Sequence, residues 1–230
     1  MKTRIFFLFS LVFLFSLSAF SQDCKMYFPE KVNAVREMTN YDKKDRMTGR
    51  VVQEILDKDV SGGDVTLTVA TVIYGEDNEE VHNSQVKVGC SDGVFKIDMR
   101  DYVGELIKQY ESMEVEVKGE NLLIPSNLSS GDELPDGNVN IKVSNSGITM
   151  VNMDVTIKNR KVEGQEEITT EAGTFDCYKI SYDSEAKTNL FTVTTGGVEW
   201  LSPGVGVVKS ESYNKKGKLT GYSLLTRLEK

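Results

Sequence analysis

Beyond residue 21 the chain alternates apolar and polar positions with a period of two almost throughout. The runs Val65–Tyr74 (VTLTVATVIY), Val139–Val143 (VNIKV) and Val151–Lys158 (VNMDVTIK) are the clearest. Such alternation directs successive side chains to opposite faces of a half-buried strand. Roughly a dozen short runs rich in Val, Ile, Thr, Phe and Tyr recur at strand-like spacing, which predicts a mainly β protein of antiparallel strands. Turn-forming clusters separate them, among them Ser61–Asp64, Glu76–Glu79, Ser91–Gly93, Asn145–Gly147 and Lys216–Gly217.

One stretch departs from this period. In Asp101–Glu111 the residues Val103, Leu106, Ile107 and Tyr110 recur at helical spacing and form a single apolar stripe. The spacing predicts one short helix. Its plain role is a connector packed on the sheet; its sharper role is a lid over a ligand cavity, with those four residues facing the ligand. Residues 125–138 form the longest turn-rich stretch. Strand-like sequence of unchanged composition resumes on either side, so they are expected to be a surface loop within one β-rich domain of residues 22–230.

Two nonapeptides are nearly identical, Tyr41–Gly49 (YDKKDRMTG) and Tyr213–Gly221 (YNKKGKLTG). Each lies between two alternating runs, which predicts two hairpin tips of the same turn chemistry. Gly217 is free to take a positive φ, and Asp45, at the equivalent position of the first copy, is among the residues that tolerate it.

The first 21 residues differ from the rest. Lys2 and Arg4 precede the apolar, serine-interrupted run Ile5–Phe20, with small residues at Ala19 and Ser21. This is the pattern of a secretory signal peptide cut after Ser21, and the run is short of the ~20 residues a spanning helix needs. Asp23 directly before Cys24 argues against lipoprotein processing at that cysteine. The chain is therefore expected to be exported, to the periplasm, the cell envelope or the medium. No stable membrane insertion of the mature chain is expected.

Of 230 residues, 209 remain after such a cut, with 25 basic against 35 acidic side chains, a formal net charge of −10. That surplus argues against nucleic acid, or an anionic membrane surface, as partner. Three cysteines in an oxidising compartment imply one disulfide and one thiol. Cys177 lies in a strand-like run where a buried thiol behaves as a small apolar residue. Cys24–Cys90 is therefore the favoured pair, although each pairing stays open.

Catalytic equipment is sparse. The single histidine, His82, is expected on a solvent-facing strand position, and no serine sits in a nucleophile-elbow context. Histidine-based zinc sites are excluded by count. The acidic turn Glu76–Glu80 lacks the calcium-loop spacing, and no phosphate-cradling or dinucleotide motif occurs. No cofactor, metal or catalytic residue is assigned, and the chain is read as non-enzymatic.

Two motifs carry a resemblance. Ala172–Ile180 (AGTFDCYKI) precedes Trp200–Glu211, whose pattern is W-x-S-P-G-V-G-x-V-K-S-E. With Phe20–Cys24 and Tyr213–Leu219, these segments resemble a family of exported bacterial proteins common in the Bacteroidetes, a domain of unknown function also labelled TapB-like. The resemblance implies a curved antiparallel sheet or incomplete β-barrel, broadly similar to periplasmic lipoprotein carriers. Two functions compete. One is a binding or carrier protein for an apolar ligand such as a lipid. The other is a structural protein that engages an envelope or secreted protein through sheet edges or hairpin tips.

Overall fold

The computed structural model describes residues 24–100 and 113–230. The lid expected of Val103, Leu106, Ile107 and Tyr110 and the expected signal peptide lie outside the described residues. Fourteen strands account for most of the described residues: β1 (Val35–Asp42), β2 (Met47–Ser61), β3 (Asp64–Gly75), β4 (Glu80–Ser91), β5 (Val94–Asp98), β6 (Glu114–Gly119), β7 (Asn121–Pro125), β8 (Glu133–Leu134), β9 (Gly137–Asn145), β10 (Ile148–Thr170), β11 (Gly173–Thr188), β12 (Thr192–Ser202), β13 (Gly206–Asn214) and β14 (Leu219–Glu229). All pairings are antiparallel, in the order β6-β9-β10-β11-β12-β13-β14-β1-β2-β3-β4-β5-β7, with β8 against β10. The sheet curls into a nearly closed barrel with an unsealed seam.

The seam has a simple construction. Its two edge strands, β6 and β7, are consecutive in the chain and separated only by Glu120. The upper half of this segment pairs with β9 and the lower half with β5. At the switch, the Glu120 N–H donates to the Asn138 carbonyl at 2.8 Å. Lower down, the buried Arg160 of β10 donates to the carbonyl oxygens of Leu123 (2.9 Å) and Pro135 (2.7 Å), fastening β7 to the other side. A guanidinium presents several donors in a fixed fork, so one side chain can serve both carbonyls.

The register fixes which turns share an end of the barrel. Tyr41 pairs with Tyr222, Gly49 with Gly75, Thr195 with Asn214 and Met153 with Thr188. The β1–β2, β3–β4, β9–β10, β11–β12 and β13–β14 turns therefore form one rim. At the opposite end the N-terminal segment enters the barrel. Met26, Tyr27 and Phe28 are buried, and the Tyr27 ring meets Phe95 and Tyr178 edge-on, with centroids 5.9 and 6.4 Å apart. The Gly204 N–H donates to the Met26 carbonyl at 2.8 Å, and the Lys25 N–H to Ser126 Oγ at 2.9 Å. The Cys24–Cys90 disulfide ties this plug to β4, while Cys177 is a buried thiol. Burial pushes the Cys177 thiol up to about 11, so it stays protonated and unreactive.

The paired nonapeptides are neighbours, because β1 and β14 pair. Both turns are built alike. Asp42 Oδ1 accepts the N–H groups of Lys44 and Arg46, and Asn214 Oδ1 accepts those of Lys216 and Lys218. Asp45 and Gly217 take φ of 61° and 70°. The final glycines share a second cause: a Cβ at Gly49 would lie 2.6 Å from the Tyr74 carbonyl oxygen, and one at Gly221 2.8 Å from that of Tyr41. One turn and one close strand approach, used twice, account for the repeat.

Candidate functional site: the barrel lumen

Side chains of the plug, with Ile55, Leu67, Val69, Val88, Leu134, Val162, Ile180 and Leu201, fill the lower barrel. Nearer the rim the lumen is hollow on both sides. A cavity of about 330 Å³ lies under β9–β12, walled by Met99, Leu122, Val139, Val155, Ile157 and Ile180. A second, of about 320 Å³, lies under β2–β5, walled by Phe28, Val51, Ile73, Val86, Val88, Phe95 and Ile97. Both reach the lower end of the roughly 300–1,000 Å³ typical of small-molecule sites.

Each cavity has one polar pole on an apolar wall. In the first, Glu199 of β12 faces inward with Arg160, Tyr182, Ser184, Thr195 and Ser212. The Tyr182 hydroxyl donates to Glu199 Oε1 at 3.3 Å. Burial raises the Glu199 pKa above the usual carboxylate range, against the opposing pulls of the Arg160 charge and the Tyr182 hydrogen bond. Glu199 is half-buried and lines the cavity.

In the second cavity the pole is Arg36, Gln53, Thr71, His82 and Ser84. The Arg36 guanidinium donates to Gln53 Oε1 at 2.7 Å and to the Val207 carbonyl at 2.6 Å, and stands over the Phe28 ring at 5.2 Å. Gln53 Nε2 in turn donates to Thr71 Oγ1 at 3.3 Å. Among the described residues that line this cavity there is no carboxylate.

His82 corrects the sequence reading. It was expected to face solvent, yet it is buried and lines the lumen. In the run Glu79–Asn83 the one apolar residue, Val81, is exposed, so alternation pointed to the wrong face, and pairing with Ile73 of β3 sets the inward one. Arg36, Arg160, Tyr182 and Glu199 were also missed. For Arg36, Arg160 and Glu199 a charge at an inward strand position is the one signal that could have found them, and with so many charges in the chain it does not single them out; Tyr182 carries no such signal. The Cys24–Cys90 pair forms as favoured.

Trp200 lies on the other face of β12 from Glu199. It packs in a second cluster with Met38, Cys177, Val208 and Leu225, and donates through Nε1 to Glu166 at 2.8 Å. It is a core side chain on the face of β12 turned away from the cavity.

Two solved structures share this fold. One is a Bacteroides fragilis protein inferred to be exported and described as having a YmcC-like fold. It is 24% identical, with 90% of this chain and 100% of that one covered and a TM-score of 0.75. The other is a Parabacteroides distasonis protein inferred to be a lipoprotein, also 24% identical over 90% of this chain and 100% of that one, with a TM-score of 0.76. A comparison with curated proteins finds no match. The DUF3108-like family model matches residues 33–225, nearly all of the barrel, and the chain belongs to that family.

Proposed function

We propose that this is an exported, non-enzymatic binding or carrier protein of the periplasm or cell envelope. Its ligand is an amphipathic small molecule with an apolar chain, of the lipid class. The observation that carries this is the hollow upper lumen: two apolar-walled cavities, each with a polar pole, above a filled lower half. The signal-like leader and the exported or lipoprotein descriptions of the two structural neighbours support the location. An apolar chain would contribute about 0.8 kcal/mol per buried methylene, and the pole would fix the head group. Arg36 with His82, Gln53, Thr71 and Ser84 suits an acidic head.

The test is a titration of delipidated protein with a fluorescent fatty acid. Saturable binding that an unlabelled fatty acid displaces is expected. Absence of saturable binding would sink the proposal.

A further inference from the structure

The rim at the hollow end is not uniform. Two adjacent turns carry exposed apolar side chains: Ile148 and Met150 at the β9–β10 turn, and Leu190, Phe191 and Val193 at the β11–β12 turn. Leu190 is 90% exposed and Phe191 58%. Both turns flank β10 and β11, whose paired residues Met153 and Thr188 lie just below them. The next two turns around the rim are the nonapeptides. They bring together Lys43, Lys44, Arg46, Lys215, Lys216 and Lys218, all of them exposed. Of the carboxylates among them, Asp42 pairs with Arg46 at 2.5 Å and Asp45 accepts from the Tyr222 hydroxyl at 2.9 Å, so the lysines leave the sector net positive. The acidic residues Glu76, Asp77, Glu79 and Glu80 sit at the β3–β4 turn, on the far side of the basic pair. Around the rim the sectors therefore run apolar, basic, acidic.

We infer that the apolar and basic sectors form a docking surface for a membrane bearing anionic lipid headgroups. Leu190, Phe191, Ile148 and Met150 would enter the headgroup–acyl boundary, and the lysines of the nonapeptides would lie on the phosphates. Two physical points favour a bilayer over a protein partner. Separate hairpin tips present protrusions rather than the broad complementary patch that a stable protein interface requires, whereas lipid conforms to protrusions of any shape. The combination of inserted apolar side chains and adjacent lysines also supplies both terms of interfacial binding, burial and attraction to anionic lipid. The net charge of −10 disfavours such binding at a distance, but at contact charges beyond a Debye length of about 8–10 Å are screened and the basic sector facing the lipid decides. The surface lies at the end where the two cavities lie. The inference does not depend on their having a ligand.

The test is co-sedimentation with phosphatidylcholine vesicles and with vesicles of equal parts phosphatidylcholine and phosphatidylglycerol. The protein is produced from Gln22, since the apolar leader would bind lipid by itself. Expected is binding to the mixed vesicles that falls as salt is raised. L190S/F191S should weaken it roughly tenfold on loss of the inserted side chains. K215E/K216E should weaken it by a similar, roughly tenfold factor on mixed vesicles only. All four residues are exposed turn positions, and an unchanged thermal melt verifies the fold. No sedimentation of the unmodified protein with mixed vesicles would overturn the inference, as would variants that bind unchanged. Self-association abolished by L190S/F191S, without vesicle binding, would assign the surface to a second copy instead and overturn it equally.

Discussion

The Tyr182 ring lies directly over Gly197, its partner across β11 and β12, so closely that a Cβ at Gly197 would sit 2.2 Å from Tyr182 Cζ. The absent side chain lets the ring lie against the strand with its hydroxyl on Glu199. Gly197→Ala must displace the ring into the cavity. A loss of about 1–3 kcal/mol in urea unfolding is expected from this overpacking, together with weaker probe binding in the β9–β12 cavity.

Glu199 makes stability depend on pH with a definite sign. Its folded pKa is raised by burial, so the folded state holds the proton more tightly than the unfolded chain. Its favourable contribution is complete below the ordinary carboxylate pKa and is lost as pH rises through the raised value. Other carboxylates, such as Glu166 beside Lys179 and Trp200, are shifted down and act in the opposite direction. The difference between the protein and Glu199→Gln isolates the effect: the variant should gain relative stability as pH rises through that window, measured by unfolding at a series of pH values. A difference that does not vary with pH would contradict it.

Arg160 is buried at the seam, serves two carbonyl oxygens and faces the Glu199 carboxylate. Arg160→Leu leaves those acceptors and a buried acid without their cation. Destabilisation of about 3–5 kcal/mol is expected, with hydrogen exchange of the β7 amides accelerated more than that of β2 and β3. The double variant with Glu199→Gln should recover part of the loss, because one uncompensated charge is gone.

The disulfide spans 66 residues of sequence and pins the plug inside the barrel. Closing a loop of that length is worth about 4 kcal/mol in the chain-entropy account. Cys24→Ser with Cys90→Ser should lower the urea midpoint accordingly, and reduction of the unmodified protein should reproduce the shift.

Strand content and hairpin tips could be read from period-two alternation because one face of each strand is apolar, as in Val65–Tyr74. The shared turn chemistry of Asp42–Asp45 and Asn214–Gly217 was equally visible, down to the tolerance of Asp45 for positive φ. The adjacency of those turns was not. It depends on the pairing of β1 with β14, across nearly the whole chain, which no local pattern encodes. The seam was hidden for a related reason: β6 and β7 look like one strand and differ only in their partners. The cavities were invisible on principle. Val155 and Val86 line hollow space while Val162 and Val69 fill a core, yet all four occupy the same alternating positions.

That last distinction is also the most direct way to test the lumen as a binding site. Val155→Trp would fill the β9–β12 cavity and Val86→Trp the β2–β5 cavity, each without adding charge. Fluorescent fatty acid titration of the two single variants and the double variant should show saturable binding reduced most by Val86→Trp, whose cavity holds Arg36, and abolished in the double variant, with the fold verified by circular dichroism. Binding undiminished in the folded double variant would contradict a ligand in the lumen.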